Sequence, residues 1–160
     1  MVIIILGFAI TIFSIYYVRY IEWKKPDYVF SFEDTMGTRK VPVVSFRHNN
    51  ETVNFIIDSG ASHSIINYSS IDKFNYTLIE DTNGTVYGLD GNKIQTKIVS
   101  VEITKNGHVF NDLFQVLPVP GIDKVNSTEG IEIHGLLGSE FLKKYQFLIN
   151  FKSLKAYTNG

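Results

Sequence analysis

The sequence has no cysteine and only four histidines among its 160 residues. The absence of cysteine excludes disulfide bonds, iron–sulfur clusters, cysteine-containing zinc sites, thiol catalysis and lipid attachment at cysteine. His48, His63, His108 and His134 show no His-x-x-x-His pattern and no nearby carboxylate at ligand spacing. Hydroxyl, carboxylate, imidazole and amine groups remain for chemistry, and we expect neither a metal nor another cofactor.

An excess of one charge is also missing. The chain has 15 Lys and Arg residues against 16 Asp and Glu residues, for a formal net charge of −1. A phosphate backbone needs a basic surface, so we expect no nucleic-acid partner. Gly130 and Gly135 have the spacing of a phosphate-binding loop, but Leu136 follows them where such a loop needs lysine. The Gly-x-Ser-x-Gly nucleophile motif is absent too.

The N-terminal segment is the longest apolar run. Residues 2–18 carry no charge, and as a helix they would span roughly 25 Å of a hydrocarbon core of about 30 Å. Aromatic residues and an arginine cluster at the end of the run, where headgroups would lie: Tyr16, Tyr17, Arg19, Tyr20 and Trp23. The alternatives are a cleaved signal peptide and a buried helix, but the basic start and small-residue cleavage site of a signal peptide are missing. We predict a transmembrane anchor with its juxtamembrane flank at 1–26.

Charges next to the anchor predict its orientation. Arg19, Lys24 and Lys25 follow the apolar run, so the positive-inside rule favours a single-pass protein whose body faces the cytoplasm. We expect a linker at 27–40 and one folded domain at 41–160, since about 134 residues after Pro26 suit a single core.

The body has the pattern of an all-β fold. Apolar and β-branched runs separated by turn residues predict hairpins, with Asp90-Gly91 and Asn106-Gly107 as turns. A polar loop is expected at 119–130 and a helix at 139–145. The expected strands are 41–47, 52–57, 65–66, 85–88, 93–96, 98–104, 109–119, 147–151 and 154–157.

Two motifs are candidates for chemistry. Asp58-Ser59-Gly60-Ala61-Ser62 follows Ile56-Ile57 directly, and a carboxylate at the end of an apolar strand suits acid–base work. An ordinary exposed turn is the alternative. About 80 residues later, Leu136-Leu137-Gly138 opens the expected helix; here the alternative is a glycine kept for close packing before a helix cap.

Together these motifs resemble the retropepsin-like aspartic proteases, the family of retroviral proteases and their bacterial and eukaryotic relatives. The resemblance runs from Val41 to Tyr157 and includes Ser64-Ile65, the helix to Leu142 and the strand Ile149–Phe151. With its apolar N-terminus, the chain looks like a membrane-anchored member of the bacterial type. The resemblance implies a closed β-barrel with one short C-terminal helix.

The resemblance also implies a function. It makes Asp58 the catalytic residue, one per chain in a homodimer that hydrolyses peptides or proteins. Ser59, Gly60, Ala61 and Ser62 would support the site, and the hairpin Tyr87-Gly88-Leu89-Asp90-Gly91 would be a flap over the substrate, although an ordinary exposed hairpin is the alternative. Leu136-Leu137-Gly138 would be the structural motif before the helix.

The sequence departs from the family pattern in three places. Glu140 and Asn150 stand where relatives often carry aspartate, and Ser59 replaces the commoner threonine while keeping the hydroxyl. The main hypothesis is therefore a membrane-anchored aspartic endopeptidase. The alternative is a non-catalytic retropepsin-like module that dimerises or binds peptides at the membrane.

Overall fold

The computed structural model describes residues 12–17, 28–79, 84–87, 93–127 and 130–158. The helices are α1 (residues 12–17), α2 (Glu33–Thr38), α3 (Pro120–Asn126) and α4 (Ser139–Lys144), with a 3-10 helix at Tyr68–Lys73. The strands are β1 (Tyr28–Ser31), β2 (Val43–His48), β3 (Glu51–Ile57), β4 (Ser64–Asn67), β5 (Thr77–Leu78), β6 (Gly84–Tyr87), β7 (Lys93–Lys105), β8 (His108–Leu117), β9 (Gly135–Leu137), β10 (Leu148–Asn150) and β11 (Lys155–Thr158).

Six strands close into a barrel in the order β2-β3-β9-β4-β8-β7. The ring closes where β7 pairs with β2 at Arg47 and Thr104. Strands β5 and β6 extend the sheet from β7. The prediction of a mostly-β, closed barrel with a short C-terminal helix is confirmed, although α2, α3 and the 3-10 helix add short helical segments to it.

The hairpin β7–β8 is the longest pairing in the barrel. Asn106 and Gly107 take positive φ values of 51° and 84° at its turn, a conformation that asparagine and glycine tolerate best. Alternation along β7 buries Val99, Val101 and Ile103. The expected strands at 93–96 and 98–104 are one continuous strand, because exposed Lys97 stays in the ladder opposite Val116.

A cluster of phenylalanine rings fills the barrel. Its fully buried members are Phe30, Phe32, Phe46, Phe55, Phe110, Phe114 and Phe141. Phe30 belongs to β1, and its ring lies 5.0 Å from that of Phe46 in the barrel. Buried aromatic rings contribute large apolar areas and prefer tilted or edge-on contacts. The cluster therefore fastens the small terminal sheet, of order β1-β11-β10, to the barrel.

Two regions that were predicted to be irregular, 27–40 and 119–130, contain regular secondary structure. In place of the linker at 27–40 the structure has β1, which pairs antiparallel with β11 from Tyr28–Thr158 to Ser31–Lys155, and helix α2. The polar loop at 119–130 contains α3, which begins at Pro120 and buries Ile122 against Val43 and Ile133. Tertiary packing stabilises both segments, which have little local signal in the sequence.

Most of the predicted anchor at 2–18 lies outside the described residues, as does the rest of its flank to residue 26. Residues 12–17 are helical. Within the described part of the chain, no helix reaches the length and apolar character needed to cross a membrane.

A buried histidine joins β3 to the residue before β9. The backbone amide of Asn54 donates to Nδ1 of His134 at 3.1 Å, and the amide of His134 donates to the Asn54 carbonyl at 2.8 Å. Since Nδ1 accepts this bond, the imidazole is neutral with its hydrogen on Nε2. Burial lowers the pKa of His134, and Glu132, whose Oε2 lies 3.8 Å from Nε2, offsets part of that effect.

We expect the protein to lose stability as the pH falls below about 6.5, the ordinary histidine pKa. The unfolded imidazole then binds a proton that folded His134 resists, so the free energy of unfolding falls until the pH reaches the lowered folded pKa. One proton limits the slope to about 1.4 kcal/mol per pH unit. Urea unfolding at several pH values between 7.5 and 5 should show the free energy of unfolding fall with pH in the wild type. The fall should be smaller in His134→Gln.

The variant Leu78→Gln is the control, because it places the same glutamine at an exposed position that has no titratable group, so the slope should stay that of the wild type. Glu132 does not interfere in this range, since Lys73 lowers its pKa from 4.5 and its contribution is lost only at more acidic pH. An unchanged slope in His134→Gln would contradict the assignment.

Candidate active site

The carboxylate of Asp58 lies at the point where β3 leaves the barrel. The amide of Ile57 donates to the carbonyl of Pro42 at 2.8 Å, and the amide of Asp58 donates to the carbonyl of Leu137 at 3.0 Å. The amide of Gly60 donates to Asp58 Oδ1 at 2.9 Å and orients the half-buried carboxylate. Oδ2 has no hydrogen-bond partner among the residues that the structure describes.

The two sequence motifs meet in the sheet. Strand β9 lies parallel to β3, with Ile56 opposite Leu136 and Ile57 opposite Leu137, and antiparallel to β4 on its other side. Leu137 is fully buried. The second motif is therefore the strand against which the Asp58 strand is fixed.

Helix α4 holds the loop that follows Asp58. The amide of Ser139 donates to the carbonyl of Ala61 at 2.8 Å, and the amide of Glu140 donates to the carbonyl of Ser62 at 3.1 Å. These amides belong to the first turn of the helix, where they have no partner inside the helix. The loop carbonyls thus serve as the cap of α4, and the helix in turn fixes the loop.

Side chains reinforce this contact. Ser64 Oγ accepts a hydrogen bond from the amide of Gly138 at 3.1 Å. At the surface, His63 Nδ1 lies 2.8 Å from Glu140 Oε2. Sequence reasoning did not assign His63 to the site, and it named Ser64 and Glu140 only as positions of the family pattern. Their contacts were not foreseen, because only the folded chain brings residues 63–64 next to the start of α4.

Two glycines permit the close approach. A β-carbon at Gly138 would lie 2.4 Å from the carbonyl carbon and oxygen of His63, and one at Gly135 would lie 2.0 Å from the carbonyl oxygen of Ile65. Both neighbours are backbone atoms, which cannot move aside as a side chain can. These glycines are therefore required by packing, as the alternative reading of the second motif suggested for Gly138.

The other residues predicted for the site lie in the loop after Asp58 and in the predicted flap hairpin. Ser59 and Ser62 are exposed and Ala61 is partly exposed in the loop after Asp58. Strand β6 pairs with β7 from Gly84–Thr96 to Tyr87–Lys93, so both arms of the predicted flap hairpin are present. Its tip, Gly88, Leu89, Asp90 and Gly91, lies outside the described residues.

The departure at Asn150 has a local explanation. Its Oδ1 accepts hydrogen bonds from the amides of Lys152 at 2.9 Å and Ser153 at 3.0 Å. An asparagine can close a turn in this way just as an aspartate can. Asn150 therefore starts the turn between β10 and β11.

The family profile described as aspartyl protease matches residues 44–141, more than half of the chain. The chain belongs to the aspartyl protease family. The matched range contains both motifs, Asp58 with its loop and Leu136-Leu137-Gly138, so the resemblance found in the sequence is confirmed.

Two solved structures are similar to this chain at low sequence identity. The protease of EIAV, complexed with the inhibitor HBY-793, is 18% identical, with a TM-score of 0.47, and the match covers 67% of this chain and 89% of that one. The retroviral protease-like domain of Ddi1 from Leishmania major is 18% identical, with a TM-score of 0.49, covering 75% of this chain and 89% of that one. No curated protein matches the chain.

We expect Gly138→Ala to displace the Asp58 loop and destabilise the protein. The added β-carbon would overlap the backbone of His63, and overpacking of this kind costs about 1–3 kcal/mol or more. Thermal unfolding should show a lower midpoint. Gly121→Ala is the matched control, because Gly121 lies in α3 with open space around it and alanine there should be neutral or slightly stabilising. Equal midpoints for the two variants would contradict the close packing at Gly138.

Proposed function

We propose that the protein is a membrane-anchored aspartic endopeptidase that works as a homodimer, with Asp58 of each subunit in a shared site. The observation that carries the proposal is the fixed carboxylate of Asp58, at the end of a buried strand, in a chain of the aspartyl protease family. The sequence has one such Asp-Ser-Gly motif. Aspartic proteases use two aspartates in one site, so in this proposal a second copy of the chain supplies the other one.

The chemistry follows from two carboxylates placed close together. Two such groups cannot both ionise at low cost, so they share one proton, as is general for aspartic proteases. The ionised carboxylate takes a proton from a bound water, which attacks the peptide carbonyl carbon, while the protonated one donates to the carbonyl oxygen. Collapse of the tetrahedral intermediate breaks the C–N bond, and the amine leaves with a proton returned by the dyad. No covalent enzyme intermediate forms.

The terminal sheet offers a surface for the second copy. Among the described residues, β1 and β10 each pair only with β11, so both have an open edge. Open edges with unpaired amides and carbonyls favour pairing with another chain. Val29, Leu148 and Phe151 are exposed in or next to these strands, which adds apolar area to the same surface.

The hairpin β6–β7 is proposed as the cover of the substrate. Tyr87, Gly88, Leu89, Asp90 and Gly91 would form the flap that closes over an extended peptide and excludes water. Ser59 and Gly60 would support the dyad beneath it. An extended peptide fits a site made by strands, because main-chain hydrogen bonds can be made along its length.

Asp58→Asn is expected to abolish cleavage of a peptide library by the full-length chain in detergent micelles, between pH 4 and pH 7. The loss should be at least about 10²–10⁴-fold, the usual contribution of one acid–base group. Asp72→Asn, a matched change at an exposed aspartate of the 3-10 helix, should leave the rate unchanged. Cleavage that persists in Asp58→Asn would exclude Asp58 as the catalytic residue.

A mixing experiment tests whether the two copies share one site. When wild type and Asp58→Asn are co-expressed in equal amounts, random pairing leaves about one quarter of the wild-type activity for a shared dimeric site. Independent monomers would leave about one half. Absence of cleavage by a wild-type chain whose mass in solution is that of a dimer would favour the non-catalytic peptide-binding module instead.

The anchor and its orientation form a separate proposal. The uncharged run at 2–18 supports a single-pass anchor, and Arg19, Lys24 and Lys25 support a cytoplasmic position of the folded domain. Two copies held in one membrane would also meet at a higher effective concentration.

A tag placed after Gly160 is expected to be protected from protease added outside intact cells and to be cleaved after the membrane is opened. A cytoplasmic control protein should behave in the same way in the same cells. Cleavage of the tag in intact cells would contradict the orientation, and recovery of the chain without detergent would contradict the anchor.

A further inference from the structure

A groove of about 340 Å³ lies beside the Asp58 loop. It is bounded by the start of β4, by β7 and β8, and by the first turn of α4. The residues that give it its chemistry are His63, Ile98, Asp112, Leu113, Gln115 and Glu140. The volume is at the lower end of the range for small-ligand sites and suits one long side chain.

Gln115 gives the groove an unused hydrogen-bonding group. Its neighbours in β8, Phe114 and Val116, are buried in the core, so alternation places Gln115 on the other face of the strand. In the sheet it lies between Ile65 of β4 and Ile98 of β7. Gln115 is only 6% exposed, and its side chain has no hydrogen-bond partner among the described residues.

A polar group that has no partner inside the protein is normally hydrogen-bonded to water or to a ligand. A primary amide offers two donors and one acceptor oxygen, and here they border the groove instead of meeting another protein group. The amide is therefore placed to bind a group that enters the groove.

The charges around the groove favour a cation. Glu140 lies at the surface in contact with His63, at 2.8 Å, and the imidazole carries charge only when protonated. Asp112 lies 3.0 Å from Lys144 Nζ. Lys144 matches the charge of Asp112, so Glu140 is the carboxylate that remains to face a cation, and together with the Gln115 amide oxygen it can accept donors of a guanidinium. An acidic ligand would instead meet Glu140.

The groove adjoins the site that holds Asp58. His63, at its edge, belongs to the loop that starts at Asp58, and the carbonyls of Ala61 and Ser62 in that loop bond to the same turn of α4 that carries Glu140. A peptide bound in extended form over Asp58 would therefore have a neighbouring side chain within reach of the groove.

We propose that this groove is a specificity subsite for a basic substrate side chain, arginine above all, with Gln115 and Glu140 as its specificity-determining residues. The proposal rests on the proposed peptidase function. Gln115 binds the guanidinium through its amide oxygen in the interior, and Glu140 supplies the opposite charge at the entrance.

The test uses the full-length chain in detergent micelles and a decapeptide library in which one arginine, citrulline or leucine occupies each position in turn. Citrulline keeps the shape of arginine without its charge. The expected result is one position at which arginine gives a kcat/KM about tenfold above citrulline, the scale of one hydrogen bond to a charged group.

The variants then separate the two roles. Glu140→Gln should bring the arginine-to-citrulline ratio close to one, whereas Gln115→Leu should lower kcat/KM for both of these peptides relative to the leucine peptide. Glu132→Gln is the matched control, since it removes another exposed carboxylate, one that pairs with Lys73 outside the groove. It should leave all ratios at their wild-type values.

Unchanged ratios in both Glu140→Gln and Gln115→Leu would overturn the proposal, as would a wild type with no preference for arginine at any position. If the wild type cleaves none of the peptides, the proposed peptidase function is contradicted, but the groove can still be tested. Fluorescence anisotropy of the same peptides, carrying a label, then measures whether the groove binds an arginine side chain. Tighter binding of an arginine peptide, weakened in both variants but not in Glu132→Gln, would support the groove. Equal binding of all peptides, or no binding, would exclude it.

Discussion

The hydrogen bond from the amide of Asp58 to the carbonyl of Leu137 is the contact on which the site depends. It exists because β9 lies between β3 and β4, close enough that Gly135 and Gly138 have no room for a β-carbon. Backbone groups in a barrel interior must find partners, and the loop after Asp58 finds them at the first turn of α4. The position of the carboxylate is therefore set by main-chain contacts and hardly at all by flexible side chains.

Packing in the core fixes the frame around this contact. The phenylalanine cluster joins β1, the barrel and α4, so the terminal sheet and the Asp58 loop belong to one packed unit. His134 adds a polar bond between β3 and the residue before β9 that requires a neutral imidazole. An acidic pH would therefore weaken the connection between β9 and the strand that leads to Asp58.

The proposed function and the proposed subsite use different parts of this frame. In the proposed function Asp58 would supply acid–base chemistry together with a second copy, whereas Gln115 and Glu140 would select the side chain of the substrate. The two parts are connected by the loop from Asp58 to His63, because the carbonyls of this loop cap α4, and the first turn of α4 also borders the groove. A change that shifts α4 would therefore alter cleavage rate and specificity together.

The sequence by itself determined the β-rich character, the hairpin turns and the two motifs, because alternation, Asn-Gly turns and an Asp-Ser-Gly after isoleucines are local signals. It did not determine β1, α2 and α3, whose short segments are stabilised by partners distant in the chain, such as β11 for β1. The contact of His63 with Glu140 came only from the tertiary structure, as did the position of the Gln115 amide, which has no hydrogen-bond partner in the described ranges. The physical reason is that pairing across the barrel and the burial of single polar groups depend on which distant strands become neighbours, and no local pattern encodes that.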